Sequence, residues 1–130
     1  MFVIIETSMN VMEMQQVLQA MLLVEENKVC ADCQEIDKPV THASVNNAAL
    51  ICQECSEKHT RELTPLISLI RPLDSDFWSQ EQISTLKAGS GNREFNNFMA
   101  HFDLSEPDCD IQHKYNSVGC QYWRDKLHEI

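Results

Sequence analysis

Cys30-Ala31-Asp32-Cys33 and Cys52-Gln53-Glu54-Cys55 are two cysteine pairs of the same Cys-x-x-Cys form, with eighteen residues between them. Two residues between cysteines let one tight turn present both sulfurs to the same ion, and the intervening segment lets the chain leave the first turn and return with the second. Four thiolates converging in this way make a tetrahedral site, and one structural zinc ion is the expected occupant. Iron also accepts four thiolates, and spacing does not separate the two metals. A disulfide pair, or two unconnected thiol pairs, would need the doubled motif to be incidental.

A chain of 130 residues is read as one domain, residues 1–130, with a modest core, so a metal clamp in its middle matters for folding. The formal charge of -10 opposes nonspecific binding to nucleic acid or to an anionic bilayer, since both repel it at long range. No stretch approaches the roughly 20 consecutive apolar residues of a membrane span. Met1-Phe-Val-Ile-Ile5 is apolar but short, and it runs into Glu6 with no basic residue before it, unlike a secretory signal or a transit peptide. Cys109 and Cys120 lie outside the quartet and read as free thiols of a reducing compartment, which places the chain in the cytoplasm.

Periodicity supplies the helices. Met14, Val17, Leu18, Met21 and Leu22 recur at spacings of three and four, predicting a helix over about 9–26. The segment between the cysteine pairs, with Pro39, Val40-Thr41, Val45 and Ala48-Ala49-Leu50-Ile51, reads as loop and short strands. A short helix is expected from Ser56 to about Leu63, halted before Pro65, and Leu66-Ile67-Ser68-Leu69-Ile70 reads as a buried strand. The part from 79 to 130 is helical. Ser79 and Gln82 form a capping box for a helix from Gln80 that stops at Gly89. Asn92 is expected to cap the next helix, whose apolar face is Phe95, Phe98, Met99 and Phe102. A last helix after Ser117 carries Cys120, Trp123, Leu127 and Ile130 on one side. Of the scattered histidines His42, His59, His101, His113 and His128, the one at 59 stands nearest the quartet and is the best placed for a structural hydrogen bond beside it.

These residues resemble the Arf GTPase-activating domain family. The likeness begins at Asn27-Lys28-Val29-Cys30-Ala31-Asp32-Cys33 and continues through Ala43-Ser44-Val45-Asn46 and Ile51-Cys52-Gln53-Glu54-Cys55-Ser56 to His59. Ile67-Ser68 with Arg71, Asp76 with Trp78, Lys87-Ala88-Gly89 with Gly91-Asn92, and Lys114-Tyr115-Asn116-Ser117 with Tyr122 and Arg124 follow in the family's order. The resemblance implies an α/β (α+β) fold, a small sheet surrounded by helices with a four-cysteine zinc finger over 30–55. It also implies an Arf-type small GTPase as partner, vesicle trafficking as the setting, and an arginine finger supplied in trans to speed GTP hydrolysis; because the charge of -10 disfavours anionic lipid, recruitment to an organelle membrane is expected through another protein.

The family places that arginine directly after the histidine matched by His59. Here that place is Thr60, and the finger falls to Arg61; Glu57, His42 and Leu66 also replace the family's glycine, tryptophan and histidine. One inserted residue between Ser56 and Arg61 accounts for the shift. On a regular helix it turns Arg61 by about 100°, whereas a π-bulge would restore its direction. The second expectation, opened by this departure, is an inactive relative serving as a zinc-stabilised interaction subunit of a larger assembly.

Overall fold

The structure, a computed structural model, describes residues 9–128; the N-terminal apolar run and Ile130 lie outside them. Among the described residues the order is α1 (Val11–Leu22), β1 (Val40–Ser44), β2 (Ala49–Cys52), α2 (Gln53–Glu62), β3 (Ile70–Pro72), α3 (Gln80–Gly89), α4 (Asn92–Ala100), α5 (Ile111–Tyr115) and α6 (Val118–Leu127). The three strands make one antiparallel sheet in the order β2-β1-β3. Ala43 at its centre faces Leu50 on one side and Arg71 on the other. Pro72, which has no N–H to give to a ladder, sits on an edge strand, where proline is tolerated.

Asn10 caps α1 by accepting the Glu13 N–H at 2.8 Å. The helix ends at Leu22, four residues short of the sequence expectation, and Glu25–Lys28 forms a separate 3₁₀ turn. Asn27 accounts for the early stop. It is buried, and its Nδ2 donates to the Met21 carbonyl, one of the acceptors a helix leaves open at its C-terminus. The capping box of Ser79 and Gln82 at the start of α3 is formed as expected. At its other end the left-handed residue is Ser90, not Gly89. Gly89 is needed for a different reason: a Cβ there would stand 2.4 Å from the Ala48 Cβ.

Asn92 is not the cap of α4. Gly91 holds that place with φ 96°, and Asn92, fully buried, reaches back to the sheet. Its Oδ1 accepts the Leu50 N–H, and its Nδ2 donates to the Leu50 and Val29 carbonyls, each at 2.8 Å. The Asn92 side chain thereby pairs the outward amide and carbonyl of Leu50, sharing the carbonyl with the Ala31 N–H, which is what a buried backbone amide and carbonyl require.

The apolar run Leu66 to Ile70 forms a strand only from Ile70 onward. Thr64 accepts from the Ile67 and Ser68 N–H groups, so Pro65 opens a turn and Leu66 stands 87 % exposed. Asn46 and Asn47 occupy the backbone groups that a ladder would have used. The core gathers Leu18, Leu50, Ile51, Ile83, Phe95, Met99, Tyr115, Cys120 and Trp123, with the Phe95 ring edge-on to Trp123 at 5.9 Å and stacked on Tyr115 at 6.2 Å. Cys120, Trp123 and Leu127 face inward along α6, as their spacing indicated.

Candidate functional site

Two knuckles bring the four cysteines together. The first is tied to the sheet by the Ala31 N–H to Leu50 carbonyl bond at 3.0 Å. The second straddles the end of β2, so that α2 begins at Gln53, earlier than expected, with Cys52 as its cap and the Cys52 sulfur accepting the Cys55 N–H. All four Sγ atoms lie within 4.8 Å of one another. Four sulfurs around zinc at about 2.3 Å define a tetrahedron with edges of roughly 3.8 Å, and the Cys33 to Cys52 separation is 3.8 Å. The sulfurs are unbonded to one another, which removes the disulfide reading. Cys30, Cys33, Cys52 and Cys55 are thus positioned to bind one metal ion, and among the described residues no fifth ligand joins them.

Behind the knuckles lies a polar cluster that spacing did not reveal. Asp32, inside the first cysteine pair, turns its carboxylate into the protein. Oδ1 accepts from Lys114 Nζ at 2.9 Å and from the Tyr115 hydroxyl at 2.6 Å, and Oδ2 takes His59 Nε2 at 2.7 Å. Burial alone would raise this carboxyl. The Lys114 ammonium, the His59 hydrogen bond and the Tyr115 hydroxyl outweigh it and hold Asp32 well below the ordinary carboxylate range. Burial, and then the Asp32 charge, push the Tyr115 phenol well above its usual value. Lys114 is 98 % buried, its ammonium lying 5.2 Å from the centre of the Phe95 ring. A cation this deep persists because a carboxylate faces it.

The cluster continues as a chain of hydrogen bonds. Asn47 Nδ2 donates to Ser44 Oγ at 2.8 Å, the Ser44 and Ser68 hydroxyls share a hydrogen bond at 2.7 Å, and Ser68 Oγ is hydrogen-bonded to His59 Nδ1 at 2.7 Å. The other end of Asn47 accepts from Arg124 Nη1 at 2.9 Å. Asp32, His59 and Ser68 together have the connectivity of a hydrolytic triad. His59 is fully buried and its two partners nearly so, so no substrate reaches them; their work is to fix α2 against the first knuckle and the sheet.

Helix α2 is held twice, by the cysteines of its first turn and by His59 in its last. It runs as a regular α-helix from Gln53 to Glu62 with no π turn, and the Leu63 N–H returns to the His59 carbonyl at 2.9 Å. Cys55, Ser56, His59 and Leu63 face inward. Thr60 follows His59 directly, its hydroxyl bonded to the Ser56 carbonyl. Arg61 lies about 200° round the helix from His59, on the side away from the core, and is exposed. Among the described residues no carboxylate pairs with it, neither Glu57 nor Glu62. Arg71 on β3 is half-buried, with its Nε enclosed and without a hydrogen-bond partner. The flank of α2 is braced by Lys38, which bridges Glu35 and Glu54. His42 is half-buried, and burial lowers it despite Asp74 and Glu57 nearby. His101, His113 and His128 are exposed and apart from the knuckles; Cys109 and Cys120 are free.

Residues 15–129 match the family model described as "Putative GTPase activating protein for Arf". An Arabidopsis thaliana protein named "Probable ADP-ribosylation factor GTPase-activating protein AGD15" is 35% identical over 106 residues, which is 78% of this chain and 44% of that protein. The mouse ADP-ribosylation factor GTPase-activating protein 3 is 33% identical over 105 residues, 80% of this chain and 19% of its own length. The chain therefore spans less than half of these relatives. In fold it is similar to a Cryptosporidium parvum crystal structure described as a "putative GTPase activating protein for ADP ribosylation factor", with a TM-score of 0.77 over 92% of each chain at 22% identity.

Proposed function

Because this chain belongs to the Arf GTPase-activating protein family, we propose that it accelerates GTP hydrolysis by an Arf-type small GTPase, with Arg61 as the arginine supplied in trans. The observation that carries this reading is the state of Arg61: exposed, free of any acidic partner among the described residues, and mounted on a helix fixed at both ends. Phosphoryl transfer through a loose transition state spreads negative charge over the transferring group and the leaving oxygen, and a positioned guanidinium stabilises that charge by an amount worth about 10³ to 10⁵ in rate. Arginine suits the task because it stays charged and offers a planar fork of donors to phosphate oxygens.

Cys30, Cys33, Cys52 and Cys55 would hold a zinc ion, whose part is structural, since four thiolates leave no position for water. The residues of this chain do the rest. The cysteines of the second knuckle anchor the first turn of α2, and His59, held by Asp32 and Ser68, sets its rotation. Among the described residues no helix is long and apolar enough to cross a membrane. With a charge of -10, the chain reaches a cytoplasmic membrane face, and the vesicle traffic served there, through a protein partner rather than through anionic lipid.

One observation favours a second reading. With α2 regular and Thr60 directly after His59, the arginine is turned by about 100° from the place the family gives it. In that reading the chain is an inactive, metal-stabilised interaction subunit of a larger assembly. Single-turnover GTP hydrolysis by a panel of GTP-loaded Arf-family GTPases decides between them. Acceleration that disappears in Arg61→Ala is the expected result. If the metal-loaded, folded chain accelerates none of them, activation through Arg61 is overturned; a gain on Thr60→Arg would then trace the inactivity to the helical register.

A further inference from the structure

We propose that Glu57 is a specificity-determining residue: the GTPase brings a lysine or arginine side chain into a cavity beside Arg61, where this carboxylate receives it. The inference rests on the activator reading. Glu57 and Arg61 stand four residues apart on a helix that is regular from Gln53 to Glu62. They are therefore about 40° apart around its axis and neighbours on its surface, and both are exposed. Gln53 precedes them on the same stripe, its Nε2 3.5 Å from Glu57 Oε1. Between this stripe and the start of β1 lies a cavity of about 360 Å³, walled by Pro39 and Thr41 on one side and by Gln53, Glu54 and Glu57 on the other.

An ordinary interface buries about 800 Å² per partner, a patch roughly 16 Å in radius, whereas residues four apart on a helix have Cβ atoms only about 6 Å apart. A GTPase that takes the Arg61 guanidinium therefore covers Glu57 as well. A carboxylate removed from water needs a cation, and no neighbouring cation of this chain supplies it. Arg61 is committed to the phosphate. Lys38 bridges Glu35 and Glu54. Lys58 is turned about 100° away around the helix, and His42, close to Glu57 on β1, is held toward its uncharged form by burial. Among the described residues no ion pair reaches Glu57.

The cation is then the partner's. The cavity suits a long basic side chain, whose methylene stem lies along Pro39 and Thr41 while its charged head meets Glu57. The chain's charge of -10 draws a basic surface toward this face from a distance. A GTPase with an acidic side chain at that point is repelled, and one with an apolar side chain leaves Glu57 buried and unpaired; each is a penalty that sorts partners. The glycine of the family resemblance imposes neither penalty, so this chain discriminates where that residue would not.

The experiment is a titration of the metal-loaded chain against GTP-loaded Arf-family GTPases in single-turnover hydrolysis, which separates the half-saturating concentration from the plateau rate. Glu57→Gln keeps the shape and removes the charge. It is expected to raise the half-saturating concentration roughly tenfold or more, as loss of one partner of a covered charge pair does, with the melting temperature little changed; Arg61→Ala instead lowers the plateau. Glu62→Gln removes the same charge about 140° round the helix from Glu57 and leaves the half-saturating concentration as it was. Added salt weakens the wild-type chain more steeply than Glu57→Gln. A half-saturating concentration unmoved or lowered by Glu57→Gln overturns the proposal, and so does an equal rise in Glu62→Gln, which would trace the effect to net charge. Where no acceleration occurs, binding of the same GTPases loaded with a non-hydrolysable GTP analogue is read directly. Binding weakened by Glu57→Gln and not by Glu62→Gln then supports the role of Glu57 while the activator reading falls, and absence of binding overturns both.

Discussion

Replacing Asp32 with asparagine tests whether the carboxylate behind the first knuckle holds the protein together. The change alters one atom and keeps the shape. It removes what is, among the described residues, the only negative charge bonded to Lys114, which is 98 % buried, and it sets an amide N–H against His59 Nε2, where a carboxylate oxygen stood at 2.7 Å. Breaking one partner of a buried ion pair costs about 3 to 5 kcal/mol, because the remaining charge has neither water nor a counter-ion. Against a total stability of about 5 to 15 kcal/mol, that is a large share. At this chain length each kcal/mol moves the melting temperature by about 4 °C, so metal-loaded Asp32→Asn should melt some 12 to 20 °C lower, by these same magnitudes. The double variant Asp32→Asn/Lys114→Met removes the stranded cation and should recover about 1 to 3 kcal/mol relative to the single change. Urea unfolding of the four proteins of this cycle, with the metal saturated throughout, measures both numbers. A loss below about 1 kcal/mol for Asp32→Asn, or additivity around the cycle, would refute the argument that the cluster is a charge-compensated clamp.

Three further outcomes are expected. Stripping the metal with a chelator should abolish the cooperative thermal transition or lower it sharply, since the knuckles tie β2, α2 and the first loop together; circular dichroism with and without added zinc reads this. Gly89→Ala drives a Cβ to 2.4 Å from that of Ala48 and should cost about 1 to 3 kcal/mol as overpacking, measured by urea midpoint. Tyr115 is held protonated by burial and by Asp32. Its folded pKa lies above its unfolded one, so its contribution is complete below the unfolded value, near pH 10, and falls away at higher pH. An alkaline titration followed at the phenolate band should show Tyr115 ionising only together with unfolding.

The metal site, the helices and the capping box were legible because each follows from a local rule: a two-residue knuckle, a three-to-four spacing, a serine three residues before a glutamine. The family was legible for the same reason, in short motifs in order. What escaped was set by partners far away in the chain. Asn92 has the residue type of a cap and sits at the start of a helix, but the open edge of β2 claimed its side chain. Leu66 to Ile70 has the composition of a strand, and the turn at Pro65 together with the amides of Asn46 and Asn47 took its backbone groups instead. Asp32 reads as a filler between two cysteines; only the fold reveals that Lys114 and Tyr115 close on it. The short α5 that carries those two residues had no periodicity to betray it. The direction of Arg61 turned on whether α2 contains a π turn, which an inserted residue leaves open until the helix is seen to be regular.

The bonds from Asp32 to Lys114 and Tyr115 span 82 and 83 residues, and this orders events during synthesis. A growing chain that has emerged as far as Gln112 already possesses every cysteine needed to capture a metal. Its captured finger is nevertheless unfinished, because the acid within it still lacks its lysine and its tyrosine. Closure of so long a loop comes late and slowly, so the last quarter of the chain acts as the latch on a device assembled near its beginning.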